Sequence, residues 1–397
     1  MHYDTQKHDV IIIGGGPSGL STALHLQRIA PHLSHRILLL EKEHYPRLKL
    51  CAGGLTLDAE ILLERLGLDV NEVPHVLADE LRFDFESSGL RIRNPKRHAL
   101  RVIRRDEFDH WLAKQAQSRG IEIRQGVTVK NVLAQADGVI VETDQGTLHA
   151  QVVVGADGSN GVTRRCIFPS DPLHTARVLE VITPSQPPPS RSGGMGEVPE
   201  GRWGHAHFEF SPVPENIAGY IWDFPTQVKG KPMRCWGIYD TNLLANGKRP
   251  PLKAPLAKEM MRLGFNLNDY EIKGHPIRWF SPANRLSAPR VLLVGDAAGA
   301  DPIFGEGISI ALGYGCLAAR EISEAFQRGE FSFRSFKRRV VRSALGQTLL
   351  ARWVIANVIY PFKWRWFQIL LWQMLKPFVL LAAWIFVLNW GKRMPTP

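Results

Sequence analysis

Acidic residues are almost missing from the C-terminal part of the chain. Residues 327–397 hold twelve Lys and Arg but a single acid, Glu330, so this stretch carries the whole formal net charge of +11. The rest is neutral overall. A nucleic-acid binder more often spreads positive charge over a folded face, so no nucleic-acid partner is expected. Cysteine is scarce. Cys51, Cys166, Cys235 and Cys316 stand far apart, without CxxC or Cys/His ligand spacing. That excludes a disulfide framework, argues against a structural metal and suggests reduced thiols in a cytoplasmic setting. No uninterrupted apolar run reaches the ~18 residues of a spanning helix. No signal-peptide pattern precedes the first strand-like run. With 44% hydrophobic and 22% charged residues, the composition is not that of a disordered or collagen-like chain. At ~100–200 residues per domain, 397 residues predict two or three packed units.

What is present begins at Asp9. The β-branched run Asp9–Ile13 reads as a buried parallel strand. Gly14-Gly15-Gly16-Pro17-Ser18-Gly19 follows and fits GxGxxG, then a helical pattern over Leu20–Ile29 and a second apolar run, Arg36–Leu40, ending at Glu41. Each part has a physical task. Gly14 permits the tight turn, Gly16 lets a pyrophosphate approach the backbone, and Gly19 lets helix and strand pack closely. The helix N-terminus then offers free N–H groups to phosphates, and Glu41 can accept hydrogen bonds from a ribose. The motif predicts a dinucleotide but does not separate FAD from NAD.

Two further segments make that choice. Val152–Ser159 is a strand running into Asp157-Gly158, and Val291–Gly299 is a strand running into Gly295-Asp296, continuing through Gly305-Glu306-Gly307 into a small-residue helix, Ile308–Ala319. The order GxGxxG, DG, GD resembles the p-hydroxybenzoate-hydroxylase-like FAD superfamily, and Arg105-Asp-Glu-Phe-Asp109 resembles its RxxFD helix start. The resemblance implies FAD held by Gly14, Gly16, Pro17, Ser18, Gly19, Glu41, Lys42, Arg105, Val129, Asp157, Gly295, Asp296, Gly305, Gly307 and Ile308. Asp296 would contact the ribityl chain, and the Gly305–Ile308 backbone would lie along the flavin ring. No metal is implied. The implied class is α/β: a Rossmann-like FAD-binding domain with a parallel sheet over 1–170 and 283–330, an antiparallel-sheet substrate domain over 171–282 to which 81–97 contributes, and a C-terminal helical, membrane-associated region over 331–397. The sequence agrees in outline. Leu81–Arg93 alternates like one strand, residues 203–240 hold several aromatic-rich runs, and Thr183–Pro199 reads as a loop.

Four local features narrow the branch. Tyr45–Thr56 looks like the KxCGG segment of geranylgeranyl reductases, with Ala52 inserted after Cys51. Tyr220-Ile-Trp222-Asp-Phe224-Pro225 is similar to their YxWxFP motif, and Arg234–Tyr239 departs from the strand that usually follows it. GDAAG at Gly295–Gly299 and GEGI at Gly305–Ile308 match reductases, where hydroxylases carry GDAAH and GQGxN. The chain therefore resembles the geranylgeranyl reductases, flavoenzymes that saturate prenyl double bonds. Cys51, Tyr220 and Trp222 become candidate catalytic residues, with Cys51 or Tyr220 as candidate proton donors. Cys51 as a small buried hydrophobe and Tyr220-Trp222-Phe224 as one core-packed strand face are the competing readings. The resemblance implies a prenyl-chain lipid substrate and an external reductant, NADPH or ferredoxin, the latter a partner protein. The rival activities are hydroxylation of a polyprenyl quinone precursor, halogenation, and a tethered electron carrier or assembly subunit.

The tail holds six of the eleven tryptophans, between Trp353 and Trp390, among apolar stretches interrupted by Lys363, Arg365, Lys376 and Pro377. Trp with Lys and Arg is the composition of the headgroup layer. A monotopic anchor on the cytoplasmic side of a membrane is expected for 331–397, with Arg334–Arg342 as its electrostatic strip. A helical lid or dimer interface is the alternative.

Overall fold

The computed structural model describes residues 7–94, 96–172, 174–186, 204–244 and 249–396. Lys7–Ile13 is the central strand of an eight-stranded sheet. It pairs in parallel with Ile37–Glu41 and Gly146–Gly155, which lead outward in parallel to Glu122–Gln125 and Val291–Leu293. Val10 and Ile12 enter one hydrophobic core, while Ile11 and Ile13 enter the core on the opposite face. A strand buried on both faces accounts for its unbroken apolar run. The sheet is mixed, not wholly parallel: Val129–Ala134, Val139–Thr143 and Ser287–Ala288 pair antiparallel.

Two helices, Pro17–Ile29 and Ile308–Arg328, lie against each other over this sheet. They come close at Gly315, where a Cβ would fall 2.5 Å from Ser21 Oγ. The Ser21 hydroxyl donates to the Leu312 carbonyl at 2.9 Å, fixing the contact.

The second sheet has seven strands, in the order Lys273–Arg278, Thr175–Pro184, Lys231–Asp240, Gly219–Val228, His205–Glu209, Glu80–Phe85, Ser88–Arg93. It is antiparallel except where His205–Glu209 meets Glu80–Phe85. One face packs on helix Lys253–Arg262 through Trp236, Ile238, Leu256 and Met260. The other face is aromatic. Leu81–Arg93 is a hairpin rather than one strand, because Glu86 (φ 54°) and Ser87 (φ 67°) both take the left-handed conformation that turns a tight hairpin. Thr183 and Pro184 belong to a strand and not to a loop; most of the loop expected over Thr183–Pro199 lies outside the described residues.

The tail forms helices Phe336–Arg342, Ala344–Ile359, Arg365–Ile369 and Lys376–Phe386, with a π-turn at Leu370–Met374. Among the described residues no single helix is long and apolar enough to cross a membrane; Arg365–Met374 and Lys376–Arg393 meet the length and composition only as a pair bent by 77°. The chain end folds back on the nucleotide domain. Gly391 N–H donates to Asp58 at 2.8 Å, and Arg65 donates to the Met394 carbonyl at 2.7 Å. Arg339, placed in the expected electrostatic strip, instead pairs with Glu321 and Glu324 of the body.

Candidate active site

A cavity of about 1420 Å³ runs from the glycine turn at the end of Lys7–Ile13, between the two sheets, to the underside of the C-terminal helices. At its nucleotide end, Gly14 has φ +106°, and a Cβ there would sit 2.3 Å from the Ala156 carbonyl oxygen. A Cβ on Gly19 would meet the Gly14 oxygen at 2.0 Å. Gly16 differs: the nearest atoms to its Cβ position are guanidinium nitrogens of Arg105 and Arg47, at 3.8 and 3.9 Å. The helix Pro17–Ile29 starts on Gly16 with no side-chain cap, so its first N–H groups face the space beneath two cations. A pyrophosphate fits that combination of open backbone, free donors and positive charge.

Arg105 is not a solvated charge. It forms a bidentate pair with Asp109 at 2.8 Å, and Asp109 also meets Arg47 at 3.2 Å. Glu41 is buried; its carboxylate accepts from Gly15 N–H at 2.9 Å and pairs with Arg47 at 3.2 Å. Its free lone pairs can still accept from a ribose. Lys42 is exposed and lies 3.8 Å from Glu43, at the cavity rim with Val129. Asp157 turns inward to hold the N–H and hydroxyl of Thr163 at 2.8 and 2.9 Å, so it shapes the turn around Gly158. Asp296 lines the cavity and accepts from the Ser159 hydroxyl at 3.4 Å. Gly295 (φ +59°) and Gly305 (φ +64°) take left-handed turns that side chains disfavour. The structure thus brings together Gly14, Gly16, Pro17, Ser18, Glu41, Lys42, Arg105, Val129, Asp157, Asp296, Gly305, Gly307 and Ile308 around one cavity. Gly19 and Gly295 stand behind it, where they set the helix packing and the Asp296 turn.

The substrate end is apolar. Tyr220, Trp222 and Phe224 share the cavity face of Gly219–Val228 and join Phe83, Phe208, Phe210, Tyr239 and Trp372 in one aromatic cluster. Tyr220 donates its hydroxyl to the Phe304 carbonyl, and burial pushes its pKa well above 10. It therefore braces the Pro302–Gly305 loop, with its proton engaged. Cys51 lies half-buried where the two ends meet, with Sγ 3.4 Å from Gly53 N–H. Burial raises its thiol, so it is neutral. Gly53 (φ +79°) gives the segment the turn that presents Cys51, and Ala52 packs against the aromatic cluster.

Three residues of the site carry no motif of their own. Arg47 adds the second guanidinium over Gly16. Buried Arg164 donates to the carbonyls of Ala297 at 3.0 Å and Arg285 at 2.9 Å, fixing the Gly-Asp turn from behind. Glu180, buried in Thr175–Pro184, lines the cavity. An acid on the buried face of an otherwise apolar strand is the one sequence signal that points to it.

Known proteins resemble this chain in sequence and in fold. A family model described as FAD binding domain matches residues 7–196. An uncharacterized protein of Methanosarcina barkeri is 28% identical over 88% of this chain and 83% of its own length. Digeranylgeranylglycerophospholipid reductase 3 of Methanosphaera stadtmanae is 24% identical over 89% of this chain and 87% of its own. A geranylgeranyl bacteriochlorophyll reductase-like structure from Thermoplasma acidophilum superposes with a TM-score of 0.77 at 20% identity, covering 98% of each chain. The fold is shared more widely: the flavin-dependent halogenase CmlS superposes with a TM-score of 0.66 at 21% identity over 97% of this chain and 73% of that one. By its FAD binding domain the chain is an FAD-dependent oxidoreductase, similar in sequence to a digeranylgeranylglycerophospholipid reductase and sharing its fold with a geranylgeranyl bacteriochlorophyll reductase-like structure.

Proposed function

We propose that the protein is a membrane-bound, FAD-dependent reductase that saturates carbon–carbon double bonds of a prenyl chain on a lipid. The observation that carries this reading is the continuity of one cavity, from the pyrophosphate cradle past an aromatic floor to a roof of C-terminal helices. Bound FAD would supply hydride to the alkene, after reduction by NADPH or ferredoxin from outside. The chain's own residues do the rest. Gly14–Gly19, Arg47 and Arg105 hold the dinucleotide, and the Tyr220–Phe304 bond sets the loop beside the ring. The aromatic floor orients an apolar chain and keeps water from it.

The test is a mass measurement. Protein reduced with dithionite under nitrogen is given a mixed prenyl-lipid extract, and products are expected two hydrogens heavier per bond reduced, with no oxygen gained. Oxygen insertion on admitting air, with no change under nitrogen, would overturn the reading in favour of a hydroxylase.

The tail supports the membrane half of the proposal. Its inner residues Ala356, Tyr360 and Trp372 close the cavity. Its outer residues supply most of the exposed large hydrophobics of the described chain, from Val354 to Phe386. One arrangement therefore serves as lid and anchor together. Trp364 and Trp366 stack at 6.1 Å, are 52% and 61% exposed and lie off the cavity wall. Replacing both with glutamate is expected to lower partition onto anionic phospholipid vesicles by roughly tenfold or more, because apolar burial and lipid charge together drive interfacial binding. Flotation that is unchanged in the double variant would place the contact elsewhere.

A further inference from the structure

Glu180 stands in a cross-strand row that crosses the substrate sheet. It is opposite Lys273 on one side and Gly237 on the other; Gly237 is opposite Trp222, then come Phe208, Phe83 and Leu90. Directly opposed residues share a face, and this face is the cavity floor. Gly237 leaves a gap that the Trp222 ring fills: a Cβ there would lie 2.0 Å from the ring. The row is thus apolar from Leu90 to Gly237 and meets a carboxyl group at Glu180, with Lys273 on the strand beyond it.

Glu180 is 4% exposed, and its Oε2 has no hydrogen-bond partner among the described residues. Its carboxyl group lies near the Cys51 backbone, which puts the acid beside the segment that joins the nucleotide cradle to the aromatic end of the cavity. The charged and titratable groups around it are Arg104, Lys273, Cys51 and Cys235, with His275 nearby on the cavity wall. Lys273 is itself paired with Glu271 at 3.0 Å, and Arg104 faces Asp106 at 3.6 Å. Neither forms an ion pair with Glu180 within salt-bridge distance.

Resting on the reductase reading, we propose that Glu180 is the proton donor, delivering its carboxyl proton to the alkene carbon opposite the one that receives hydride. The step balances. Hydride forms one C–H bond, the π pair of the broken double bond forms the other with the Glu180 proton, and the carboxylate left behind is reprotonated from water. The two electrons come from reduced FAD. An apolar cavity suits such a donor, since burial pushes this carboxyl up to about 7 and keeps it protonated near neutrality. Tyr220, by contrast, already donates its hydroxyl hydrogen to a bond with the Phe304 carbonyl.

Glu180→Gln has nearly the shape of the protonated acid and tests the proposal in two ways. In apoprotein without substrate, the infrared difference between wild type and variant is expected to show a protonated carboxyl band that titrates away around pH 7. In the FAD-loaded protein, flavin content and reduction by dithionite are expected to be unchanged, while single-turnover alkene saturation falls roughly 10²–10⁴-fold. Wild-type saturation is expected to decline as pH rises through about 7, and the residual rate of the variant is expected to lack that decline. A variant that saturates lipid at the wild-type rate, or wild type without the band, would overturn the assignment. Wild type that saturates no prenyl lipid would overturn the reductase reading, and the donor role with it; that failure is distinguished because it occurs before any substitution is made.

Discussion

Arg352→Met is expected to destabilise the protein by about 3–5 kcal/mol in chemical denaturation, with loss of FAD retention. Arg352 is fully enclosed in Ala344–Ile359. It donates to Asp301 at 2.8 Å, to Glu306 at 2.6 Å and to the Val387 carbonyl at 2.9 Å. Asp301 in turn accepts from Ile303 N–H at 2.7 Å, and Glu306 accepts from the Thr56 hydroxyl at 2.8 Å. One guanidinium therefore joins the C-terminal helices to the loop expected to carry the flavin. Methionine fills the space but leaves two buried carboxylates without a counter-ion and the Val387 carbonyl without the Arg352 donor, which costs more than the ion pair itself contributes. The pH dependence has a definite sign. Burial works to raise Glu306, but Arg352 brings it below its ordinary value, whereas burial of Asp301 outweighs Arg352 and leaves it raised. Without Arg352 both carboxyls would titrate above their unfolded values near 4. A raised native pKa gives stability that is present at low pH and lost as pH rises through it. The gap between variant and wild type should therefore widen from pH 5 to pH 8. A gap that narrows over that range would mean the carboxylates are solvated. Adding Asp301→Asn and Glu306→Gln to Arg352→Met should recover part of the loss.

The contrast between Arg352 and the glycine turn shows which parts of the site were legible in the sequence. Gly14–Gly19, Gly295-Asp296 and Gly305–Ile308 announce themselves because backbone conformation and close approach demand glycine at fixed spacing, a local constraint. The common face of Tyr220, Trp222 and Phe224 follows from period-two alternation, also local. Arg352 meets Asp301 across 51 positions, and an arginine in an apolar helix carries no mark of which distant carboxylates it will meet. The hairpin at Glu86-Ser87 escaped notice because neither residue is the glycine or asparagine that usually signals left-handed turns. The two readings of the tail, lid and anchor, were inseparable in sequence, since both ask for the same apolar residues. Only the fold decides which side of a helix, Tyr360 or Val358, faces the cavity.

Gly14 and Gly16 stand two residues apart in the same turn, and their alanine variants are expected to fail differently. At Gly14, alanine must adopt φ +106° and drive its Cβ to 2.3 Å from the carbonyl oxygen of Ala156, whose N–H donates to the Ile13 carbonyl at 2.8 Å and so ties the end of Gly146–Gly155 to the first strand. Neither atom can yield without opening the central sheet, so Gly14→Ala should lower the stability of the apoprotein itself and retain no flavin. At Gly16 the backbone is ordinary (φ −84°), and the Cβ would point into open space beneath Arg105 and Arg47. The apoprotein should lose at most about 1 kcal/mol, the cost of alanine at a helix N-cap. The methyl group would occupy the space where a pyrophosphate reaches the first N–H groups of Pro17–Ile29, displacing two or more charge-assisted hydrogen bonds. At about 1.5–3 kcal/mol each, FAD affinity should fall roughly a hundredfold or more. Denaturation of the two apoproteins, with the flavin-to-protein absorbance ratio after gel filtration, separates these outcomes. Full flavin content in Gly16→Ala would move the pyrophosphate away from this turn, and normal apoprotein stability in Gly14→Ala would mean the carbonyl contact relaxes at little cost.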